Sequence, residues 1–332
     1  MYFSFIIPVY NRPDEIEELL KSLTEQNYRE DFEVVVVEDG STIPCDHIGN
    51  AYKGKLFLCY YNKPNSGPGD SRNYGMRKAI GQYFIILDSD CILPENYVTS
   101  VAENLERNYV DCFGGPDNAL DSFSDIQKAI NFTMTSFLTT GGVRGGSEKI
   151  GKFQPRSFNM GLSKKAFEAS GGFGNIHPGE DPDLSIRLWE MGFQTKLFKD
   201  SYVYHKRRID WSKFYKQVNK FGKARPILDS WYPKYRKITF WFPSLFCLGF
   251  LVALGLYAFG IPVLFQFYVL YIAILFLSGI IENASLKIGF LSVIAFFIQF
   301  YGYGMGYFKS FFKVILLKQQ PEKAFPELFF KK

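Results

Sequence analysis

Histidine and cysteine are scarce: this chain of 332 residues has three histidines and five cysteines. Cys45, Cys59, Cys91, Cys112 and Cys247 share no paired or metal-type spacing. That excludes a zinc ribbon or a disulfide framework and predicts free thiols in a reducing compartment. Net charge is only +5, too little for a nucleic-acid footprint. There is no Gly-Lys-Ser/Thr phosphate loop, and no Gly-x-Gly-x-x-Gly follows the first apolar run, so the usual glycine cradles for phosphate are missing. "GYGMGYF" at 302–308 has glycines but lies in an apolar segment, where Gly302 and Gly306 suit a helix-packing face. A phosphate ligand would then be held by metal and arginine. The opening "MYFSFIIPVYNRP" lacks the basic start, long apolar core and small-residue cleavage site of a signal peptide, so the first 230 residues are expected in the cytoplasm.

Charge is also missing from two long blocks, 239–281 and 288–308. A membrane span needs roughly 20 apolar residues. The first block is long enough for two passes, with Gly260-Ile261-Pro262 as the turn, and the second for one more. The organisation expected is a soluble domain over 1–230, a transmembrane region of two to three helices over 231–310, and a basic tail over 311–332. Three full spans would carry Lys309, Lys313, Lys318 and Lys323 across, against the positive-inside tendency. A helical hairpin plus a third segment of less certain depth fits better. The segment 211–225 is basic and aromatic and suits a membrane surface beside a lipid phosphate.

In the first hundred residues apolar runs alternate with amphipathic stretches. Phe3 to Val9 reads as a buried strand. Asn11 and Pro13 start a helix with Ile16, Leu19, Leu20 and Leu23 at helical spacing. Phe32 to Val37 and Lys55 to Tyr61 read as strands, Pro68 to Ile80 as a helix, and Tyr83 to Leu87 as a fourth strand. The fold class implied is α/β, a mostly parallel sheet with helices on both faces. Ligands bind such sheets at the carboxyl ends of the strands. One rim then gathers Pro8-Val9-Tyr10-Asn11, Glu38-Asp39-Gly40-Ser41 and Asp88-Ser89-Asp90.

The run "YFIILDSDC" at 83–91 stops at Asp88 and Asp90. Alternate residues of an extended chain face the same side. Two such carboxylates repel unless something positive lies between them, which makes the pair a candidate divalent-metal site.

Six segments, "FSFIIPVYNRP", "VVVVEDGS", "NSGPGDSRNYGMRKAIGQYFIILDSD", "FNMGLSKKAFEASGGF", "GEDPDLSIRLWEMG" and "VYHKRR", resemble in content and order the inverting family 2 glycosyltransferases. The resemblance implies the GT-A (Rossmann-like) fold over residues 3–225, a nucleotide-diphospho-sugar donor and Mn2+ or Mg2+. It implies Asp90 and His205 as metal ligands, with Asp88 on ribose or on the metal through water. Asp39 would accept from a uracil or guanine ring, Arg72 would reach the diphosphate, and Pro8 and Tyr10 would border the nucleotide. Asp181 would be the base, with Glu180 orienting it or the acceptor, and Asp183 acting as a helix-start carboxylate. "SFNMGLSKKAF" would floor the acceptor side. "KQVNKFGKARP" lacks the Gln-x-x-Arg-Trp of processive synthases, which argues against a long-chain product. The acceptor expected is a lipid-linked glycan of a surface polysaccharide or, alternatively, polyprenyl phosphate. The enzyme would be a multi-pass protein of the inner membrane with a cytoplasmic catalytic domain. A non-catalytic nucleotide-sugar-binding component of an export complex is the reading from another class. Specificity is expected in loops of 112–156, with the glycine-rich "TTGGVRGGSEK" as a lid.

Overall fold

The computed structural model describes residues 2–120, 122–141, 152–206 and 210–330. Most of the glycine-rich stretch read as a lid lies outside them, as do Arg207 and Arg208.

Strand β1 (Phe3–Val9) is buried throughout and leads into helix α1 (Pro13–Thr24). Its Pro13 opens the helix where no backbone N–H is needed. Then come β2 (Glu33–Asp39), α2 (Asp46–Tyr52), β3 (Phe57–Lys63) and α3 (Pro68–Lys78). Next are β4 (Tyr83–Leu87), the short β5 (Cys91–Ile92), α4 (Tyr97–Arg107), β6 (Cys112–Gly114) and β7 (Asp117–Asn118). Helices α5 (Asp125–Thr135) and α6 (Phe137–Thr140) precede β8 (Asn159–Ser163), α7 (Lys164–Ser170) and α8 (Glu180–Glu190). Strands β9 (Thr195–Leu197) and β10 (Val203–His205) lead to α9 (Trp211–Trp231). The long apolar helices follow: α10 (Phe242–Ala258), α11 (Val263–Asn283) and α12 (Leu286–Ser310).

Among the described residues, seven strands join in the order β3-β2-β1-β4-β8-β6-β9. β1 pairs in parallel with β2 and β4, and β2 with β3, while β8 runs antiparallel between β4 and β6. Chain order reverses at β1, so the carboxyl ends of β1 and β4 flank the crevice where such sheets bind ligands. Alternation along the strands fills both faces. Phe5, Ile7, Val34 and Val36 pack with Leu19, Leu20 and Leu23 on one side. Ile6, Val35, Val37, Phe84 and Ile86 pack with Leu184 and Leu188 on the other. The sheet is mostly parallel and covered on both faces, as read from the sequence.

Inside the sheet, β8 lies so close to Phe113 of β6 that a Cβ on Gly161 would sit 1.9 Å from the ring. Gly161→Ala is expected to cost about 1–3 kcal/mol by overpacking, read as a lower thermal midpoint. An unchanged midpoint would mean the ring gives way freely.

The chain divides into two compact units: Met1–Asn118 with Gly146–Lys206 and Phe329–Lys332, and Ala119–Gly145 with Arg207–Leu328. The second unit packs α5 and α9 along α12, with Ile130, Met134, Phe214, Val218 and Ala295 at the centre. Gly302 and Gly306 do pack helices together: a Cβ on Gly302 would lie 2.7 Å from Val218, and on Gly306 2.2 Å from the Asn219 carbonyl. Among the described residues three helical stretches are long and apolar enough to cross a membrane, Ile238–Ala258, Val263–Asn283 and Leu286–Leu316. Their most apolar windows are 6%, 11% and 44% buried in protein, respectively. The first two are thus bare enough to face lipid, whereas the third is half covered by its neighbours.

Candidate active site

Two acidic centres form in the first unit. The first follows β4. Asp90 is buried, and the antiparallel pairing of β10 with β5 sets His205 opposite Cys91. His205 Nε2 thereby lies 3.2 Å from Asp90 Oδ1, and its Nδ1 lies 3.6 Å from Asp117 Oδ2. The Phe158 ring stacks on the imidazole at 4.8 Å. Arg12, just past β1, forms an ion pair with Asp90. Burial alone would raise the Asp90 carboxyl, but His205 and Arg12 hold it well below the carboxylate range.

Asp90 and His205 suit a divalent cation. Asp90 Oδ1 is buried and makes no hydrogen bond among the described residues, although His205 Nε2 is near. A carboxylate and an imidazole backed by a second carboxylate, Asp117, form a common donor set. Among the described residues, Asp90, Cys91 and His205 are the grouping close enough to share an ion. Cys91 is the poor member: burial pushes its thiol well up, and its Sγ–H points to the Phe158 carbonyl at 3.4 Å. A neutral thiol is a poor ligand for Mn2+ or Mg2+.

The second centre opens α8. Glu180 Oε1 lies 2.7 Å from His177 Nδ1 and 3.3 Å from Arg72 NH1. Burial would raise the Glu180 carboxyl, yet His177 and Arg72 bring it down to about 2. Asp181, next in the chain, goes the other way. Burial and the Glu180 charge push it up to about 6 against the pull of Arg72, Arg156 and Ser157, and its buried Oδ1 has no hydrogen-bond partner among the described residues. Adjacent carboxyls driven apart in this way give one permanent anion and one group that titrates near neutrality. Asp183 instead pairs with Arg187 at 2.7 Å, one turn on.

Arg72 joins the centres. Its side chain is 3% exposed, it donates to Asp88 Oδ1 at 2.6 Å, and it lies over the Phe173 ring. The guanidinium is paired with Asp88 and Glu180, while its buried Nε has no hydrogen-bond partner among the described residues. Asp88 keeps a side chain 32% exposed, open to a ligand. Asp39 also arrives engaged: Lys63 Nζ at 2.7 Å, Ser66 N at 2.9 Å and Gly67 N at 2.9 Å all donate to its carboxylate. Pro8 lies in β1 near its carboxyl end, and Tyr10, at the same rim, is 49% exposed. Asn11 ties the rim loops together: its Oδ1 accepts from Thr42 N at 2.7 Å and Ile43 N at 3.0 Å. Arg12 and Asp117 escaped the sequence reading. For Arg12, its place one residue past the rim segment was a usable signal; for Asp117, nothing local marks it.

With these strand-end carboxylates in place, comparison with known proteins decides the family. The sequence profile of glycosyl transferase family 2 matches residues 4–171. The chain belongs to glycosyl transferase family 2. It is 35% identical over 105 residues to an uncharacterised glycosyltransferase of Rickettsia conorii, covering 32% of this chain and 17% of that protein. It is 35% identical over 114 residues to the poly(ribitol-phosphate) beta-N-acetylglucosaminyltransferase TarS of Staphylococcus aureus, covering 33% of this chain and 20% of TarS. The chain thus spans a fifth or less of those relatives' lengths. A mannosyltransferase from Pyrobaculum calidifontis, solved with GDP-Man and Mn2+, superposes with a TM-score of 0.60 at 16% identity, covering 94% of this chain and 87% of that one. The fold of this family 2 member is GT-A, with three apolar helices carboxyl-terminal to it.

Proposed function

We propose that this family 2 enzyme moves one sugar from a UDP- or GDP-sugar to a membrane-anchored, lipid-linked glycan, with inversion at the anomeric carbon, in surface-polysaccharide synthesis. The carrying observation is the Glu180–Asp181 pair, its carboxyls driven apart and tied through Arg72 to Asp88. Inverting transfer is one displacement: an acceptor oxygen bonds to the anomeric carbon as the nucleoside diphosphate leaves, and the acceptor proton goes to a base. Asp181 takes that proton, since a base works best when its pKa lies near working pH. Glu180, held ionised by His177 and Arg72, keeps the Asp181 carboxyl raised and its loop in place. Asp88, Asp39, Pro8 and Tyr10 border the nucleotide. Arg72 acts through Asp88 and Glu180. Asp90 and His205 hold the divalent cation, Mn2+ or Mg2+, which when bound neutralises the leaving diphosphate.

Support comes from relatives named for sugar transfer, from a structural neighbour holding GDP-Man and Mn2+, and from the apolar helices. The proposed organisation is a cytoplasmic catalytic domain over 1–230, apolar helices over 231–310 in the inner membrane, and a basic tail over 311–332. A donor panel scored by UDP or GDP release, run on membranes containing the protein, tests the reading.

Arg72 gives a second check. Its charge lowers the Asp181 carboxyl, so Arg72→Met should shift the acid limb of the pH–rate profile to higher pH. A limb that stays in place would remove Arg72 from the control of Asp181.

A further inference from the structure

A groove of about 480 Å³ runs between α9 and α12, none of its lining residues belongs to the acidic centres, and nothing above uses it. Each helix supplies a stripe at spacing of four, so each stripe lies on one helix face. Tyr215, Asn219 and Lys223 come from α9; Met305, Lys309 and Lys313 come from α12 and the turn after it. Phe308 and Phe312 widen the second wall, and both are exposed. One end of the groove is therefore apolar and the other cationic.

The cationic end is crowded. Lys223 and Lys313 each place an ammonium over the buried Phe325 ring, at 5.6 and 5.3 Å from its centre. The two charges are then at most about 11 Å apart, close enough to repel through the groove. Lys309 stands one turn before Lys313. No carboxylate lines the groove; Glu327, beside it, pairs with Lys223 at 2.8 Å. Burial would raise the Glu327 carboxyl, but Lys223 and Lys309 hold it below its ordinary value. Three ammonium groups against one carboxylate leave two positive charges in excess at this end of the groove. Lys309 and Lys313 also follow directly on the charge-free run 288–308, the level at which lysines meet lipid headgroups.

We propose that this groove is a binding site for an acidic phospholipid: Lys223, Lys309 and Lys313 hold the headgroup phosphate, and Tyr215, Phe308 and Phe312 receive the first part of the acyl chains. The inference rests on the membrane placement proposed above but not on sugar transfer, since no residue of the acidic centres takes part.

The test uses the purified full chain in nanodiscs of phosphatidylcholine with a minor fraction of phosphatidylglycerol, scoring the phosphatidylglycerol retained by the protein. The wild type should enrich phosphatidylglycerol, and enrichment should fall as salt rises. The Lys309→Gln/Lys313→Gln variant keeps the Lys223–Glu327 pair and should lose roughly 30-fold in preference, from about 1 kcal/mol per lysine at 1.4 kcal/mol per tenfold. Glu327→Gln should strengthen retention, since it removes the opposing charge; a purely structural Lys223–Glu327 pair would give weaker retention or none. Equal enrichment in wild type and double variant, or no enrichment in a wild type that still enters the nanodisc, would overturn the site while leaving the membrane placement intact. A wild type that does not enter nanodiscs would overturn both. Displacement of phosphatidylglycerol by an equimolar polyprenyl phosphate, with no preference among phospholipids, would reassign the groove to the acceptor and also overturn the proposal.

Discussion

Asp181→Asn should lower sugar transfer by about 10² to 10⁴, the usual contribution of a general base, while the affinity for donor nucleotide and the dependence on metal stay near wild type. Asn keeps the size of the side chain but takes no proton. The pH profile provides a second readout. With the Asp181 carboxyl raised to about 6, wild-type transfer should rise with pH through that value and then level off. The variant's residual rate should lack this limb. Stability gives a third readout. The folded-state carboxyl binds its proton at higher pH than an unfolded aspartate, near 3.8, so ionising Asp181 costs the fold stability as pH rises from about 4 to about 6. At neutral pH the Asn variant should therefore be no less stable than wild type. Were the carboxylate merely a helix-start cap, the variant would lose roughly 1 kcal/mol of stability and keep its rate. Rate and unfolding measured on one purified sample separate the two.

Asp90→Asn should abolish metal-dependent binding of UDP or GDP. The substitution removes a ligand charge beside His205 and leaves Arg12 without the carboxylate it pairs with. Asp88→Asn should be milder, because Asp88 is turned toward Arg72 and solvent. Titration of nucleotide with and without Mn2+ distinguishes them, and unchanged Mn2+-dependent affinity in Asp90→Asn would remove that residue from the cation site.

The sheet was legible where burial is uniform. The Phe3–Val9 and Tyr83–Leu87 strands have the bounds read from their apolar runs. β2 and β3 end two residues later than the apolar pattern suggests, because their polar ends, Glu38-Asp39 and Asn62-Lys63, stay in the ladder. Hydrogen bonding along a strand does not stop where hydrophobicity does. The apolar helices were legible by length and lack of charge; the cover that α9 and α5 give to α12 was not, since it depends on three distant segments meeting. At the site, the end of an apolar strand singled out Asp88 and Asp90, and the family resemblance singled out Asp181 and His205. Their partners stayed hidden. Asp117 stands beside His205 only because β10 pairs with β7, and Arg72 reaches Glu180 across 108 positions of sequence. Sequence spacing carries no record of such contacts, so the pairing of Arg72 with Asp88 and Glu180 could not be read from it.

The most direct measurement is nucleoside diphosphate release by the full chain, with UDP-sugars and GDP-sugars offered in turn, with and without Mn2+, and compared between wild type and Asp181→Asn. The account predicts release from at least one donor, dependent on Mn2+ and on acceptor-bearing membranes, that falls by about 10² or more in the variant. A wild type that binds a nucleotide sugar yet releases no diphosphate in the presence of those membranes, or a variant that matches its rate, would contradict it.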